Sequence, residues 1–553
     1  MKKLLALALT LIMLLGMSAA ALADDGIEGY ETPITLKVGR NTTDVEFYGG
    51  EDWENNSWTT LYAEHGINLE TLFAVDDTQF SRQLATSILS GNYPDIIKCT
   101  LAEYTNYADG EVIADITDLI DQYASDELKE YIYGDGGLAM NCLKVNGRIY
   151  GLPKMSSAYG SIPVMFLRGD WLANLGLEVP TTMEQLKDVA HAFTYDDPDK
   201  NGENDTYGLA LSGVSVLTSN WGDTSEFFDA YNANIGTSGM GIVAQEDGTV
   251  TWGGTNAEGM KAALTLLHDM YEDGSLVKDF ITMTGSNISE EAGSGRCGIF
   301  LAPMWGAMNP IFEVRKTQPD AEFIAIAMPN GVEGGESKMF LPVAFNGVYC
   351  ISAECEHPEA LIKLMNLSVH YLVHPADAEE YYKYYGDYDK NTGWKLALTD
   401  TLEAEKNYSC FLKMAPAIES RNTDGLTPYE LDIYNSLITY IDAVADGTYD
   451  ANDAAFQGPV GRYTVYGDPR CAYAAIDEMI KSERFIPSAF NAPLTEDQAD
   501  MTATLKKMTI ETIVKIITGS EPVEYYDTFL KSWLANGGQD YIDIAQEWYS
   551  AQQ

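Results

Sequence analysis

Phe80-Ser81-Arg82-Gln83-Leu84-Ala85-Thr86-Ser87-Ile88-Leu89-Ser90-Gly91-Asn92-Tyr93-Pro94-Asp95-Ile96-Ile97 is the stretch that decides the fold. Phe80, Leu84 and Ile88 recur every fourth residue, which lays three apolar side chains along one helical face. Gly91 to Pro94 end that helix, since proline offers no amide donor and pushes the residue before it into extended backbone. Ile96-Ile97 then open an apolar strand. An earlier β-prone run, about Ile67 to Ala74, supplies the strand on the other side. The stretch is thus the crossover of a β-α-β unit in a parallel sheet, a class that carries ligand loops at its strand carboxyl ends.

The same alternation continues outward. Ile34 to Val38 is a strand, and Trp58, Leu61 and Tyr62 mark the helix after it. Gly147 to Pro153 reads as a β-turn leading into a crossing strand. A second lobe begins there, with Thr181 and Glu184 as a capping box ahead of Leu186, Val189, Ala190 and Phe193. Leu209 to Leu211, Cys297 to Leu301, Phe323 to Ala327 and Phe345 to Ser352 are further apolar strands. Beyond about Tyr429 helices take over, ending with a long one capped by Thr495 and Gln498 and two amphipathic ones carrying Trp533 and Trp548.

Composition narrows the function. Lys2 and Lys3 precede an apolar run from Leu4 to Met17 and then Ala21-Leu22-Ala23, the pattern of a secretory signal peptide over residues 1–23. That run is too short to span a bilayer, and no later stretch approaches the ~20 apolar residues needed. No cysteine stands near the cut, the first being Cys99, so a lipid anchor there is not supported. At 553 residues the chain exceeds a single core. Its formal charge of −49 disfavours nucleic acid and anionic membrane surfaces as partners. Seven scattered cysteines without a C-x-x-C pair read as buried free thiols rather than a disulfide framework.

One loop has a metal-like pattern. In Asp197-Pro198-Asp199-Lys200-Asn201-Gly202-Glu203-Asn204-Asp205-Thr206-Tyr207-Gly208, oxygen-bearing side chains fall at every second position, Asp197, Asp199, Asn201, Glu203 and Asp205, with Gly202 sixth. This is the first three-quarters of a calcium loop, in which alternate oxygens converge on one hard cation. The bidentate Glu expected at position twelve is replaced by Gly208. Structural calcium is therefore expected, with a solvated acidic turn as the alternative.

Catalytic signatures are sparse. Gly293 to Gly298 match G-x-G-x-x-G literally, but a strand rather than a helix follows, so a turn is the reading. His370 and His374 are four apart with no third ligand placed. No H-E-x-x-H, G-x-S-x-G or phosphate loop is present, and no catalytic residue is assigned. The nine tryptophans and 34 tyrosines carry more information. An aromatic face on a strand-end loop suits the C–H face of a sugar ring. Trp305, Trp221, Trp252 and Tyr159 occupy such places, with core packing as the alternative for each.

The chain resembles the extracellular solute-binding proteins of carbohydrate ABC importers, the group that includes maltose-binding protein. The resemblance is carried by Ser90 to Ile97, Leu175 to Thr182, Asp205 to Leu209, Ala302-Pro303-Met304-Trp305, and the segment from Thr495 through Gly519 to Tyr549, which is similar to the larger Gram-positive oligosaccharide-binding lipoproteins. It implies an α/β fold of two lobes, a periplasmic-binding-protein-like clamp with hinge crossings and extra C-terminal helices. Residues 28–155 plus 345–425 would form the first lobe and 156–344 plus 426–553 the second. It further implies a secreted, monomeric receptor that takes an oligosaccharide between the lobes and delivers it to an ABC permease. Trp305 and Tyr159 would contact the sugar from the second lobe, and Asn41 and Tyr104 would face them from the first. A secreted glycoside hydrolase and a peptide receptor of the same architecture remain open. The departure is at the N-terminus, where the relatives usually carry a lipidated cysteine.

Overall fold

A computed structural model of the chain describes residues 27–47, 49–217, 221–386, 392–467 and 469–552. The expected signal peptide lies outside the described residues. The chain forms two compact units and passes between them at 156/157, 344/345 and 403/404. The last crossing precedes the expected 425/426 boundary because the helix Lys406–Ser420 buries Cys410, Met414 and Ala417 in the core of the second unit.

Two main sheets are built, in chain order, from β1 (Ile34–Asn41), β2 (Ile67–Val75), β3 (Ile96–Cys99), β4 (Gly151–Met155), β5 (Val164–Arg168), β6 (Tyr207–Ala210), β7 (Cys297–Ala302), β8 (Phe323–Ile326) and β9 (Phe345–Ile351). The first unit holds the sheet β2-β1-β3-β9-β4. β1 is parallel to β2, from Ile34 opposite Ile67 to Asn41 opposite Val75, and parallel to β3 at Val38 opposite Ile96. The helix α1 (Asp77–Leu89), capped by the Asp76 carboxylate on the Thr78 amide, connects β2 to β3. The β-α-β reading of the opening stretch is thus the observed topology. β9 joins antiparallel to both β3 and β4, making the sheet mixed.

The second unit holds the sheet β8-β5-β7-β6, with β7 parallel to β6 and antiparallel to β5. Every residue of β5, β7 and β8 is buried, as expected of strands covered on both faces by helices. Against this sheet packs α2 (Met183–Tyr195), burying Leu186, Val189, Ala190 and Phe193. Its capping box is Thr182 with Gln185, one residue later than the Thr181 and Glu184 expected. Both sites offer a Thr followed three residues on by Glu or Gln, and the chain uses the one whose backbone also bridges to Asn330.

The extra C-terminal helices, α3 (Glu496–Ile517), α4 (Tyr525–Trp533) and α5 (Gln539–Gln552), belong to this unit's core. Trp252 stacks on Trp533 at 3.7 Å between centroids, the Tyr526 hydroxyl donates to the Gly254 carbonyl, and the Tyr541 hydroxyl donates to the Met240 carbonyl. Among the described residues no helix is long and apolar enough to cross a membrane.

Candidate functional site

The strand β7 ends at Ala302, and the chain turns through Pro303 and Met304 to place Trp305 at its carboxyl end, with 47% of the residue exposed. The turn is closed by the Gly306 amide donating to the Pro303 carbonyl at 2.6 Å. A second tryptophan is fixed beside it. The Gly222 amide donates to the Leu301 carbonyl and its carbonyl accepts from the Ser212 amide, tying the 221–222 segment to the ends of β7 and β6. Gly222 has φ +68°, and an added Cβ would fall 2.1 Å from the Ile288 side chain, so only glycine allows this crossing.

These constraints build an aromatic ladder from core to solvent. Phe166 of β5 stacks on Phe300 of β7 at 5.3 Å, Phe300 on Trp221 at 6.4 Å, and Trp221 meets Trp305 edge to face at 5.9 Å. Phe166 and Phe300 are fully buried. Trp305 therefore stands on a rigid aromatic stack and offers an indole face to solvent at a strand carboxyl end, where ligands of α/β sheets bind.

From Trp221 the chain turns inward and buries three carboxyl groups at three-residue steps, Asp223, Glu226 and Asp229. Burial pushes the Asp223 carboxyl up to about 7 and the Asp229 carboxyl up to about 8, and drives Glu226 well above the usual carboxylate range, with its two acidic neighbours adding to the effect. A small recess lies here, lined by Ser161, Ser225, Glu226, Asp229, Thr237 and Phe340 among others. Sequence reading missed this recess. Three acids spaced three apart around Phe227-Phe228 read in sequence as a solvated helix face, so the inward row emerges only from the fold.

Close to Ser161 in sequence, Tyr159 sits on a 3-10 turn whose backbone is clamped by Glu405. That carboxylate accepts from the Ser157 hydroxyl at 2.6 Å and from the Ala158 and Tyr159 amides at 2.8 and 3.4 Å. The Tyr159 ring packs on Phe485 and Tyr408 and keeps part of its surface in solvent.

Residues 59–404 match the family model of bacterial extracellular solute-binding proteins. The chain belongs to this family. Among curated relatives, this solute-binding protein is 25% identical over 296 residues to the polygalacturonan/rhamnogalacturonan-binding protein YtcQ of Bacillus subtilis, covering 52% of this chain and 54% of that one. The chain spans about half the length of the curated relatives it matches. Among solved structures it superimposes on an HMO-binding, ABC-transporter-associated solute-binding protein of Bifidobacterium longum infantis with TM-score 0.59 and 17% identity over 94% of this chain and 99% of that one. It superimposes likewise on an EF-hand mutant of the Streptococcus pneumoniae substrate-binding protein FusA in complex with fructo-nystose, with TM-score 0.58 and 17% identity over 94% and 99%. At these identities the two structures share the fold.

Two of the aromatic assignments are corrected by burial. Trp252 of the solute-binding protein is fully buried, stacked on Trp533, with its indole N–H donated to the Gly239 carbonyl. Tyr104 is fully buried too, its hydroxyl donating to the Leu143 carbonyl and accepting from the Tyr150 amide. Both are core side chains whose polar tips are satisfied by backbone, and neither is open to solvent. Asn41 is exposed at the carboxyl end of β1, where its amide donates to Asp77 at 2.7 Å and its carbonyl accepts from the Thr43 amide.

The acidic loop joins α2 to β6, as expected. Asp197, Lys200 and Gly202 all adopt left-handed backbone, and the Gly202 amide donates to the Asp197 carboxylate. The Asn201 side-chain amide donates to Asp199 at 2.9 Å and to Asp205 at 3.1 Å, so two carboxylates converge on one donor. Burial and the negative charge of Asp205 and Asp197 raise the Asp199 pKa. Glu203 is exposed and enters the loop through its amide, which donates to Asn201. The loop's oxygens suit a hard cation in kind, and the amide nitrogen of Asn201 stands where a positive charge would be most favoured. Among the described residues, however, no three acidic, histidine or cysteine side chains are grouped as metal ligands. Gly208 explains the missing twelfth ligand: a Cβ there would fall 2.2 Å from the Ala190 carbonyl, because β6 packs directly on α2.

Proposed function

We propose that this solute-binding protein is a secreted, non-catalytic and monomeric receptor for an oligosaccharide, which it delivers to an ABC permease. The observation that carries the reading is the ladder from Phe166 through Phe300 and Trp221 to the half-exposed Trp305. A preordered indole face binds the apolar face of a sugar ring with little loss of side-chain entropy. The binding names of YtcQ and of the two structural relatives support a glycan as cargo. Glycan would act by differential affinity for the conformation that the permease accepts. Residues 1–23 would direct export and be removed.

Calcium belongs to the same reading. Asp197, Asp199, Asn201 and Asp205, with the backbone of Glu203, would hold it, and the relative bearing a mutated EF-hand supports such a loop in this fold. When bound, the ion would neutralise the crowded carboxylates and fasten the α2-to-β6 connection, leaving glycan recognition to the aromatic ladder.

The test is calorimetric titration of the purified chain with neutral and acidic oligosaccharides and with a peptide library, each reaction afterwards analysed for cleavage products. Saturable glycan binding without bond cleavage is expected. Turnover would make the protein a glycoside hydrolase, and binding confined to peptides would make it a peptide receptor; either result overturns the proposal.

A further inference from the structure

Two ammonium groups meet one carboxylate at the carboxyl end of the first unit's sheet. β3 and β4 both run antiparallel to β9, so the two strands end on the same edge, where ligands of α/β sheets bind. Lys98 of β3 stands opposite Tyr349 of β9, and Tyr349 stands opposite Leu152 of β4. Side chains alternate along a strand, so Lys154 projects from the same face as Leu152, Tyr349 and Lys98. Asp400 covers that face. The Lys154 ammonium and the Tyr349 hydroxyl donate to its two carboxylate oxygens, and the Lys98 ammonium lies 3.9 Å away.

The charges here do not balance. Among the described residues, Asp400 is the one carboxylate within 4 Å of either lysine. Its oxygens are occupied by Lys154 and Tyr349, and at 3.9 Å Lys98 is beyond hydrogen-bond reach, with 44% of its side chain open to solvent. Burial lowers the Lys154 pKa, the attraction of Asp400 does not make up for it, and the charge of Lys98 adds to the fall. Elsewhere in this unit the pairing runs the other way. Arg148 is held by both Asp115 and Asp118, and Lys395 has Asp44 at 3.5 Å. A chain of 83 acidic and 34 basic residues thus leaves one cation in excess on this sheet edge. The net negative charge does not cancel it, because exposed charges more than ~8 Å away are largely screened at physiological ionic strength.

We infer that Lys98, with Lys154 and Asp400 behind it, is an anion subsite that takes the carboxylate or sulfate ester of an acidic glycan. The inference rests on the receptor reading and adds the class of sugar. An anionic oxygen on Lys98 completes a set of two ammonium groups and two anions, and makes the charge-assisted hydrogen bond that Asp400 is too far away to make. Lys154 and Tyr349 hold Asp400 in place, so Lys98 faces the ligand as the open member of a fixed cluster.

Calorimetry at pH 7 on the purified full chain tests this with two pairs, tetragalacturonate beside its full methyl ester and sulfated neocarratetraose beside its desulfated form, and with maltotetraose and nystose. At low salt one of the two acids should bind about tenfold or more tightly than its neutral partner, and which of them does so identifies the anionic group. Raising sodium chloride from about 20 to about 500 mM should shrink that ratio. Lys98→Gln should bring acid and neutral partner within about threefold of one another, while Lys98→Arg, which keeps the charge, should preserve the preference. Lys98 is half exposed, so all three proteins should melt within about 2 °C, and a lost preference would not be lost folding. If the wild type binds no saccharide, both the receptor reading and this inference fail. If neutral saccharides bind as tightly as either acid, or the acid preference survives intact in Lys98→Gln, the anion subsite fails alone and the receptor reading stands.

Discussion

Replacing Trp305 by alanine perturbs the proposed receptor most directly. A full tryptophan side chain presents ~250 Å², and the 47% that Trp305 leaves in solvent corresponds to about 120 Å². A sugar ring stacked on one face would cover roughly half of that and lose a similar area itself, removing about 120 Å² from water. At ~25 cal/mol per Å² this is about 3 kcal/mol, and the ordering costs of association reduce it to about 1.5–3 kcal/mol, or roughly 10- to 100-fold in affinity. Calorimetry with the best saccharide, wild type beside Trp305→Ala, measures it. Trp305→Phe should recover much of the loss, since phenylalanine keeps an aromatic face. The melting temperature should hardly move, because Trp305 packs on the molecule through its edge contact with Trp221 and lies outside the buried core. An affinity within about twofold of wild type, at unchanged melting temperature, would refute the argument that the stacking surface is Trp305.

Three other perturbations test the remaining assignments. Trp252→Ala should destabilise the second unit by about 3–5 kcal/mol in urea unfolding, because it opens a cavity against Trp533 and orphans the Gly239 carbonyl, while leaving saccharide affinity in the folded protein unchanged. Asp223 is held at about 7 in the folded protein against an ordinary carboxylate value near 4, so between those limits the folded state binds more protons than the unfolded one. Stability from this group is complete below pH ~4 and is lost as pH rises to about 7; Asp223→Asn should remove about 2–4 kcal/mol of that fall, measured as the difference between the two proteins' urea midpoints across pH 4 to 8. Chelation should lower the melting temperature of wild type by a few degrees and leave Asp199→Ala unaffected, identical wild-type curves with and without chelator arguing for a solvated acidic turn.

The parts of this molecule legible in the sequence are those whose cause is local. Leu84 repeats Phe80 one helical turn later, and Ile96-Ile97 open β3 as a buried apolar pair, so the β-α-β crossover could be read from eighteen consecutive residues. Trp305 could be placed for the same reason, since an apolar strand followed by Ala302-Pro303 has to turn where it ends. What could not be read depends on partners distant in the chain. Trp252 and Trp305 look alike in sequence, each a tryptophan after a short strand, and only Trp533, folded back from the C-terminal helices, decides that one is core and the other surface. Tyr104 is hidden in the same way by the Leu143 and Tyr150 backbone.

Glu226 is the harder case, because its local signal points the wrong way: an acid in a chain of 83 acidic residues reads as a solvated face. The fold reverses that reading by tying both ends of the segment down. Gly222 bonds to Leu301 and Ser212 at one end, and Asp229 bonds to Asn234 and Phe340 at the other. With its ends fixed, the short helix Ser225–Asp229 cannot roll Glu226 outward without breaking the Asp229 contacts. The cost of the buried carboxyl is thus carried by the bonds that flank it.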